Sequence, residues 1–231
     1  VKRGKVTQGE KRDILKRISG TTRMADLKAC DLIIEAAFED MDLKKRIFSQ
    51  LDKVARPGAV FATNTSCLSI TEIASVTKNP ERVLGLHFFN PVPLMKLVEV
   101  VRGLETGNDT LSAGVAFARS LGKEPVVCRD SPGFIVNRLL CPYLNQVVQA
   151  YDDGLATKED IDTACELGLG YPMGPLKLLD LIGLDVHLNI SEAMYNALHE
   201  NKYSPPPLLR KMVISGHLGR KTGKGFYVYK G

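Results

Sequence analysis

Residues 83–102, VLGLHFFNPVPLMKLVEVVR, place two apolar runs on either side of a segment that suits neither helix nor sheet. The first run ends in His87. Asn90, Pro91 and Pro93 then break any ladder, because proline lacks the amide that a strand interior must donate. The second run, Leu97 to Val101, carries Glu99 between Val98 and Val100. β-Branched runs followed at once by polar and proline residues read as strands that deliver side chains to their carboxyl ends. A carboxylate in an otherwise apolar strand needs a partner, and His87 is the candidate. A histidine held by a carboxylate has a fixed tautomer and can take a proton from a substrate hydroxyl. The alternative, a surface histidine and a glutamate buried for structural reasons, stays open on spacing alone.

The rest of the chain falls into two parts around residue 130. In the first part, a helix is expected over about Gln8–Ile18, after what reads as the tail of another helix. DLIIEAA (31–37) forms a strand, and Met41–Val54 has helical spacing at Leu43, Ile47, Leu51 and Val54. Ala59–Thr63 is the next strand, and a short helix follows from about Ser69, where Ser69 with Glu72 fits a capping box. Val83–His87, a helix from Asp109 or Thr110 to Leu121, and the strand Pro125–Cys128 complete a pattern of strands joined by crossover helices. Such α/β sheets gather ligands at the carboxyl ends of their strands. From Asp130 onward β-alternation disappears. Helices are expected over Phe134–Tyr151, Thr157–Leu167, Leu176–Leu198 with an interruption near Gly183, and Leu208 to about Ser215, before a tail that ends in an aromatic strand or extended piece. The expected organisation is residues 1–129 as an α/β domain and 130–231 as an all-helical domain.

Composition excludes several classes. With 31 basic and 26 acidic residues the net charge is +5, but no interleaved aromatic and basic stripe supports nucleic-acid binding. Five cysteines, Cys30, Cys67, Cys128, Cys141 and Cys165, are odd in number and lack CxxC spacing. They fit reduced thiols in an intracellular, cytoplasmic protein and argue against structural zinc or a disulfide scaffold. No apolar stretch is long enough to span a membrane, and no secretory signal is legible.

Other polar residues sit where a site is expected. Asn64, Ser66 and Asn90 follow strands, where they either hold a polar ligand or satisfy their own turns. Asn137, in GFIVNRLL, either faces a cleft between the two parts or lies on a helix surface. Lys221 and Lys224 in the glycine-rich tail either meet an anion or are solvated. His187, His199 and His217 read as helix-surface or interhelical residues. No GxGxxG opens a strand–helix unit, so the sequence contains no dinucleotide loop in the required context.

The stretches DLIIEAAFEDMDLKKRIFSQLD, ATNTSCLSITEIA, GLHFFNPVPLMKLVEVVRG, DSPGFIVNRLL, GLGYPMGPLKLLDLIGLD and GRKTGKGFYVY together resemble the L-3-hydroxyacyl-CoA dehydrogenase family. Within it, the short monofunctional members acting on 3-hydroxybutyryl-CoA are the most similar. The resemblance implies an NAD-dependent oxidoreductase with an acyl-CoA substrate. His87 would be the catalytic histidine and Glu99 its partner, with Ser66 and Asn137 at the reacting oxygen and Asn90 beside both cofactor and substrate. Glu39, Lys44, Ser66, Asn90 and Lys221 would line the NAD site, and the helical part would form a homodimer. It also implies that a strand, the glycine-rich loop, a helix and a second strand, about 50 residues in the usual unit, precede Val1. The expected fold is therefore a partial Rossmann-like sheet, its first strands absent, followed by a helical domain. A non-catalytic structural or acyl-CoA-binding fragment of the same fold is the competing expectation.

Overall fold

The structure, a computed structural model, describes residues 4–229. The segment read as the tail of a preceding helix includes residues 1–3, which lie outside the described residues. Helix α1 (Gln8–Leu15) opens on Thr7 and Glu10 in a reciprocal capping box, a device that the sequence reading did not anticipate there. It stops three residues short of Ile18. None of its residues is buried, so it stands on the surface through local bonds rather than packing.

Five strands follow: β1 (Leu32–Glu35), β2 (Val60–Thr63), β3 (Val83–Phe88), β4 (Leu97–Arg102) and β5 (Glu124–Arg129). They lie side by side in sequence order. Helices α2 (Met41–Val54) and α3 (Ile70–Ala74) cross between β1, β2 and β3, which run parallel. The pair β3–β4 is antiparallel, which corrects the expectation of a sheet built only from crossovers. The connection, residues 89–96, is too short to carry a crossover helix back to a parallel strand. Helix α4 (Asn108–Ser120) then crosses over to β5, parallel to β4.

Alternation along β3 and β4 sorts their side chains between two cores. Leu84, Leu86, Val98 and Val100 pack with Ala118 on the α4 side. Gly114 permits that approach, since a Cβ there would lie 2.3 Å from Leu84 Cδ1. Val83 and Val101 pack with Phe48, Leu51, Phe61, Ile70, Ile73 and Phe134 on the opposite face. His87 and Glu99 share that second face.

After β5 the described chain contains no further strand. Helices α5 (Val136–Asp152), α6 (Lys158–Leu169), α7 (Pro175–Ile182), α8 (Leu184–Leu198) and α9 (Pro207–Ile214) surround a core of Leu144, Val148, Leu176, Leu179, Leu184, Leu209 and Phe226. The expected 176–198 helical segment is interrupted at Gly183, as its sequence indicates, because a φ of +102° there lies outside the helical range. The aromatic tail is not a strand. Two isolated bridges, Gly219–Lys224 and Lys224–Val228, fold it back on itself. Asp180, buried on α7, holds it by accepting from the Phe226 and Tyr227 amides at 2.8 and 2.9 Å. No helix among the described residues is long and apolar enough to cross a membrane.

Candidate active site

His87 and Glu99 are register partners across the antiparallel β3–β4 pair. Residues directly opposite each other in such a pair project from the same face, so the ladder itself brings them together. His87 Nδ1 lies 2.6 Å from Glu99 Oε2. An ionised carboxylate only accepts, so Nδ1 carries the proton and Nε2 keeps a free lone pair. Glu99 is fully buried and His87 is 7% exposed, which leaves the imidazole as the pair's outlet. The other carboxylate oxygen, Oε1, accepts from the Ile135 and Val136 amides at 3.0 and 2.9 Å. These amides belong to the start of α5, where helix geometry leaves donors without intrahelical partners. The anionic carboxylate is thus compensated by a helix N-terminus on one side and an imidazole N–H on the other.

A second cluster occupies the carboxyl ends of β1 and β2. Glu35, the last residue of β1, is buried by the same alternation that buries Ile33. Both of its carboxylate oxygens lie 2.9 Å from Lys44 Nζ, and Thr63 Oγ1 donates to it at 2.7 Å. Lys44 is 1% exposed and also stands 3.5 Å from Glu39 Oε2. Glu39 Oε1 in turn accepts from Thr65 Oγ1 at 2.5 Å, Ser66 N at 2.9 Å and Cys67 N at 3.2 Å, with Ser66 Oγ at 3.3 Å. One lysine therefore braces two carboxylates, and one of these shapes the Ser66 loop. Glu35 was not singled out in the sequence. Its period-2 placement after Ile33 was the available signal.

Asn137, near the start of α5, reaches the Ser66 carbonyl at 3.5 Å, the long limit of a hydrogen bond. Ser66, Asn137, Glu39 and Lys44 are thus brought together, and Glu99 ties α5 to His87. Asn90 stands apart on an exposed turn that begins with a cis Asn90–Pro91 bond. Asn64 is absorbed structurally, since its Oδ1 accepts from the Phe88 amide at 2.9 Å and pins β3. Lys221 lies on the tail, ion-paired with Asp185 at 2.5 Å. The expected Ser69–Glu72 capping box is half formed. Ser69 Oγ accepts from the Glu72 amide, while the Glu72 carboxylate pairs with Lys45. Asp130 supplies the second anchor there, accepting from Ser69 Oγ and the Thr71 amide.

The donor set beside Ser66 is a carboxylate, hydroxyls and amides, and its lysine is already neutralised. Such a set suits sugar hydroxyls and a carboxamide better than a phosphate. It fits the nicotinamide–ribose end of NAD. Burial pushes the Cys67 thiol in this loop up to about 12, which keeps it protonated.

Two family models match the chain. Residues 1–131 match the 3-hydroxyacyl-CoA dehydrogenase NAD binding domain, and residues 133–229 match the C-terminal domain of the same family. A 3-hydroxybutyryl-CoA dehydrogenase from Clostridioides difficile is 52% identical over 229 residues, spanning 99% of this chain and 82% of that protein. The mitochondrial hydroxyacyl-coenzyme A dehydrogenase of Homo sapiens is 49% identical over 92% of this chain and 68% of its own length. Among solved structures, the (S)-3-hydroxybutyryl-CoA dehydrogenase of Ralstonia eutropha superposes with a TM-score of 0.94. It is 47% identical and covers 100% of this chain and 81% of that one. The chain belongs to the 3-hydroxyacyl-CoA dehydrogenase family.

Proposed function

We propose that the protein interconverts short-chain L-3-hydroxyacyl-CoA and 3-oxoacyl-CoA, with 3-hydroxybutyryl-CoA as the substrate type. The observation that carries this reading is the buried His87–Glu99 pair, with Nε2 of the imidazole left free. Bound NAD would supply the acceptor for the hydride at C3 of the hydroxyacyl group. His87 Nε2 takes the hydroxyl proton as that hydride leaves. Glu99 holds the Nδ1 proton in place and stabilises the imidazolium while it lasts. In the reverse direction His87 Nε2–H returns its proton to the forming hydroxyl. Ser66 and Asn137 position the substrate oxygen, where hydrogen-bond donors stabilise changing charge. Glu39, Ser66 and Asn90 would hold the cofactor, with Lys44 acting through Glu39 and Lys221 contributing a cation on the tail. Asn90 also borders the substrate.

A boundary near residue 130 divides cofactor-binding from helical functions. Exposed apolar side chains on the helical side, among them Leu155, Leu167 and Ile214, each more than three-quarters exposed, support its use as a homodimer interface. All five cysteines are free, which supports a reducing, cytoplasmic setting. Reduction of acetoacetyl-CoA, followed by loss of NADH fluorescence, tests the function. Turnover with acetoacetyl-CoA is expected. NADH binding without turnover of any 3-oxoacyl-CoA would leave only the binding role.

A further inference from the structure

Phe134 has a backbone φ of +48°. A bulky residue in the left-handed region is an outlier, because its Cβ crowds the following carbonyl. Such strain persists only where the surroundings over-determine it. Here three features do so. The Phe134 ring is 4% exposed and packs into the sheet-side core with Phe61, Ile70 and Val101, although its backbone leads into α5. Its amide donates to the Ser131 carbonyl at 2.9 Å, closing a tight turn. Gly133, at φ +73°, makes that turn two consecutive left-handed residues, and a Cβ there would stand 2.8 Å from Met194 Sδ and 2.9 Å from the Arg138 amide.

The turn has a chemical consequence. Helix α5 has no side-chain cap at Ile135. Its first free amides, on Ile135 and Val136, are satisfied instead by Glu99 from β4. They are the two residues directly after Phe134, so the strained turn aims them. The ring of the same phenylalanine lies 5.7 Å from the His87 imidazole, centroid to centroid. One residue therefore bears on the pair twice: the two residues after it donate to Glu99, and its ring lies beside His87. Asparagine or glycine would adopt the left-handed conformation at lower cost. A phenylalanine there makes sense when the ring itself is needed.

We propose that Phe134 is a positioning residue for the His87–Glu99 pair, aiming the α5 amides at Glu99 while its ring fixes the imidazole. The proposal rests on the dehydrogenase reading above. The test compares Phe134→Gly and Phe134→Leu with the wild-type protein, each checked for folding by circular dichroism. Glycine keeps the left-handed turn and removes the ring; leucine refills the core without an aromatic face. The readouts are kcat, the KM values for acetoacetyl-CoA and NADH, and the low-field proton resonance of the His87 Nδ1–H. For Phe134→Gly we expect kcat to fall about 100-fold with both KM values near wild type, as misplacement of a reacting group predicts. Its low-field resonance should broaden away. For Phe134→Leu a smaller loss of kcat, again without a rise in KM, is expected.

A Phe134→Gly protein with wild-type kcat and an unchanged resonance would overturn the proposal. So would KM values that rise in step with falling kcat in both variants, because that pattern reports general loosening between sheet and helices. Should the glycine variant fail to fold, wild-type kcat in Phe134→Leu overturns the proposal and reduced kcat at constant KM supports it. The resonance needs no turnover. If the wild-type protein proves inactive, its loss or persistence in Phe134→Gly still decides the role of Phe134 separately from the reaction.

Discussion

Two buried histidines occupy opposite halves of the molecule, and their partners set them apart. His87, at the sheet, faces the carboxylate of Glu99. His187, on α8 and 2% exposed, faces the Asn145 side-chain oxygen at 2.9 Å. That amide also accepts from Ser191 Oγ at 3.1 Å and donates to the Tyr203 carbonyl at 3.3 Å. A carboxylate favours an imidazolium, whereas a neutral amide in a dry interior gives no compensation for the charge. Burial accordingly lowers the His187 pKa to about 4. One histidine is set against a carboxylate, and the other is kept neutral by burial and ties helices together.

The carboxylates divide in the same way. Glu99 spends one oxygen on a histidine. The buried Asp162 and Asp180 of the helical half spend theirs on backbone amides and tyrosine hydroxyls. Burial and these acceptor bonds push the Tyr227 and Tyr229 hydroxyls upward, so both remain donors. The helical half thus uses buried charge to close its tail, and the sheet half sets its buried charge against an imidazole.

The largest effect that would break the comparison comes from exchanging the histidines in turn. His87→Gln should lower kcat by about 10³-fold, the usual worth of a general base. His187→Gln, which keeps a polar group opposite Asn145, should leave kcat near wild type. Steady-state kinetics on both variants checks this.

Next in size is a pH effect on stability. The folded His187 pKa of about 4 lies below the ordinary 6.5, so the unfolded chain binds the proton first as pH falls. The stability is fully present above pH 6.5 and is lost progressively toward pH 4. The loss amounts to about 3 kcal/mol. Urea unfolding across that range should show the slope in the wild type and a flatter one in His187→Gln.

Smaller still, Asp180→Asn should cost about 2 kcal/mol by weakening charge-assisted bonds to the tail amides. A lowered Tm, with tail amides exchanging faster with deuterium, would register it.

Much of this arrangement was legible in the residues. The position of Glu99 between two valines announced a buried charge, and His87 was the matching group on a neighbouring strand. Thr157 caps α6 as its sequence context indicates, and the end of β-alternation near residue 130 marks where the strands stop. The antiparallel pairing of β3 and β4 was readable from the short proline-bearing connection, but the surrounding strand–helix rhythm outweighed it. Other features had no local signature. The Glu99 bonds to Ile135 and Val136, the Asp130 anchor of α3, and the Asn145–His187 contact join residues 36 to 61 positions apart. Periodicity shows which face a side chain takes, while the partner across a core is chosen by packing. Lys44 shows the same limit: helical spacing placed it on α2, but only the folded chain buries it between Glu35 and Glu39.

Glu99→Gln tests the central claim most directly, because it places an amide opposite His87 as Asn145 stands opposite His187. If the carboxylate is what fits His87 for proton transfer, kcat for acetoacetyl-CoA reduction falls about 100-fold or more. Binding of NADH and of acyl-CoA stays near wild type. A Glu99→Gln protein that is folded and turns over at the wild-type rate would contradict the account.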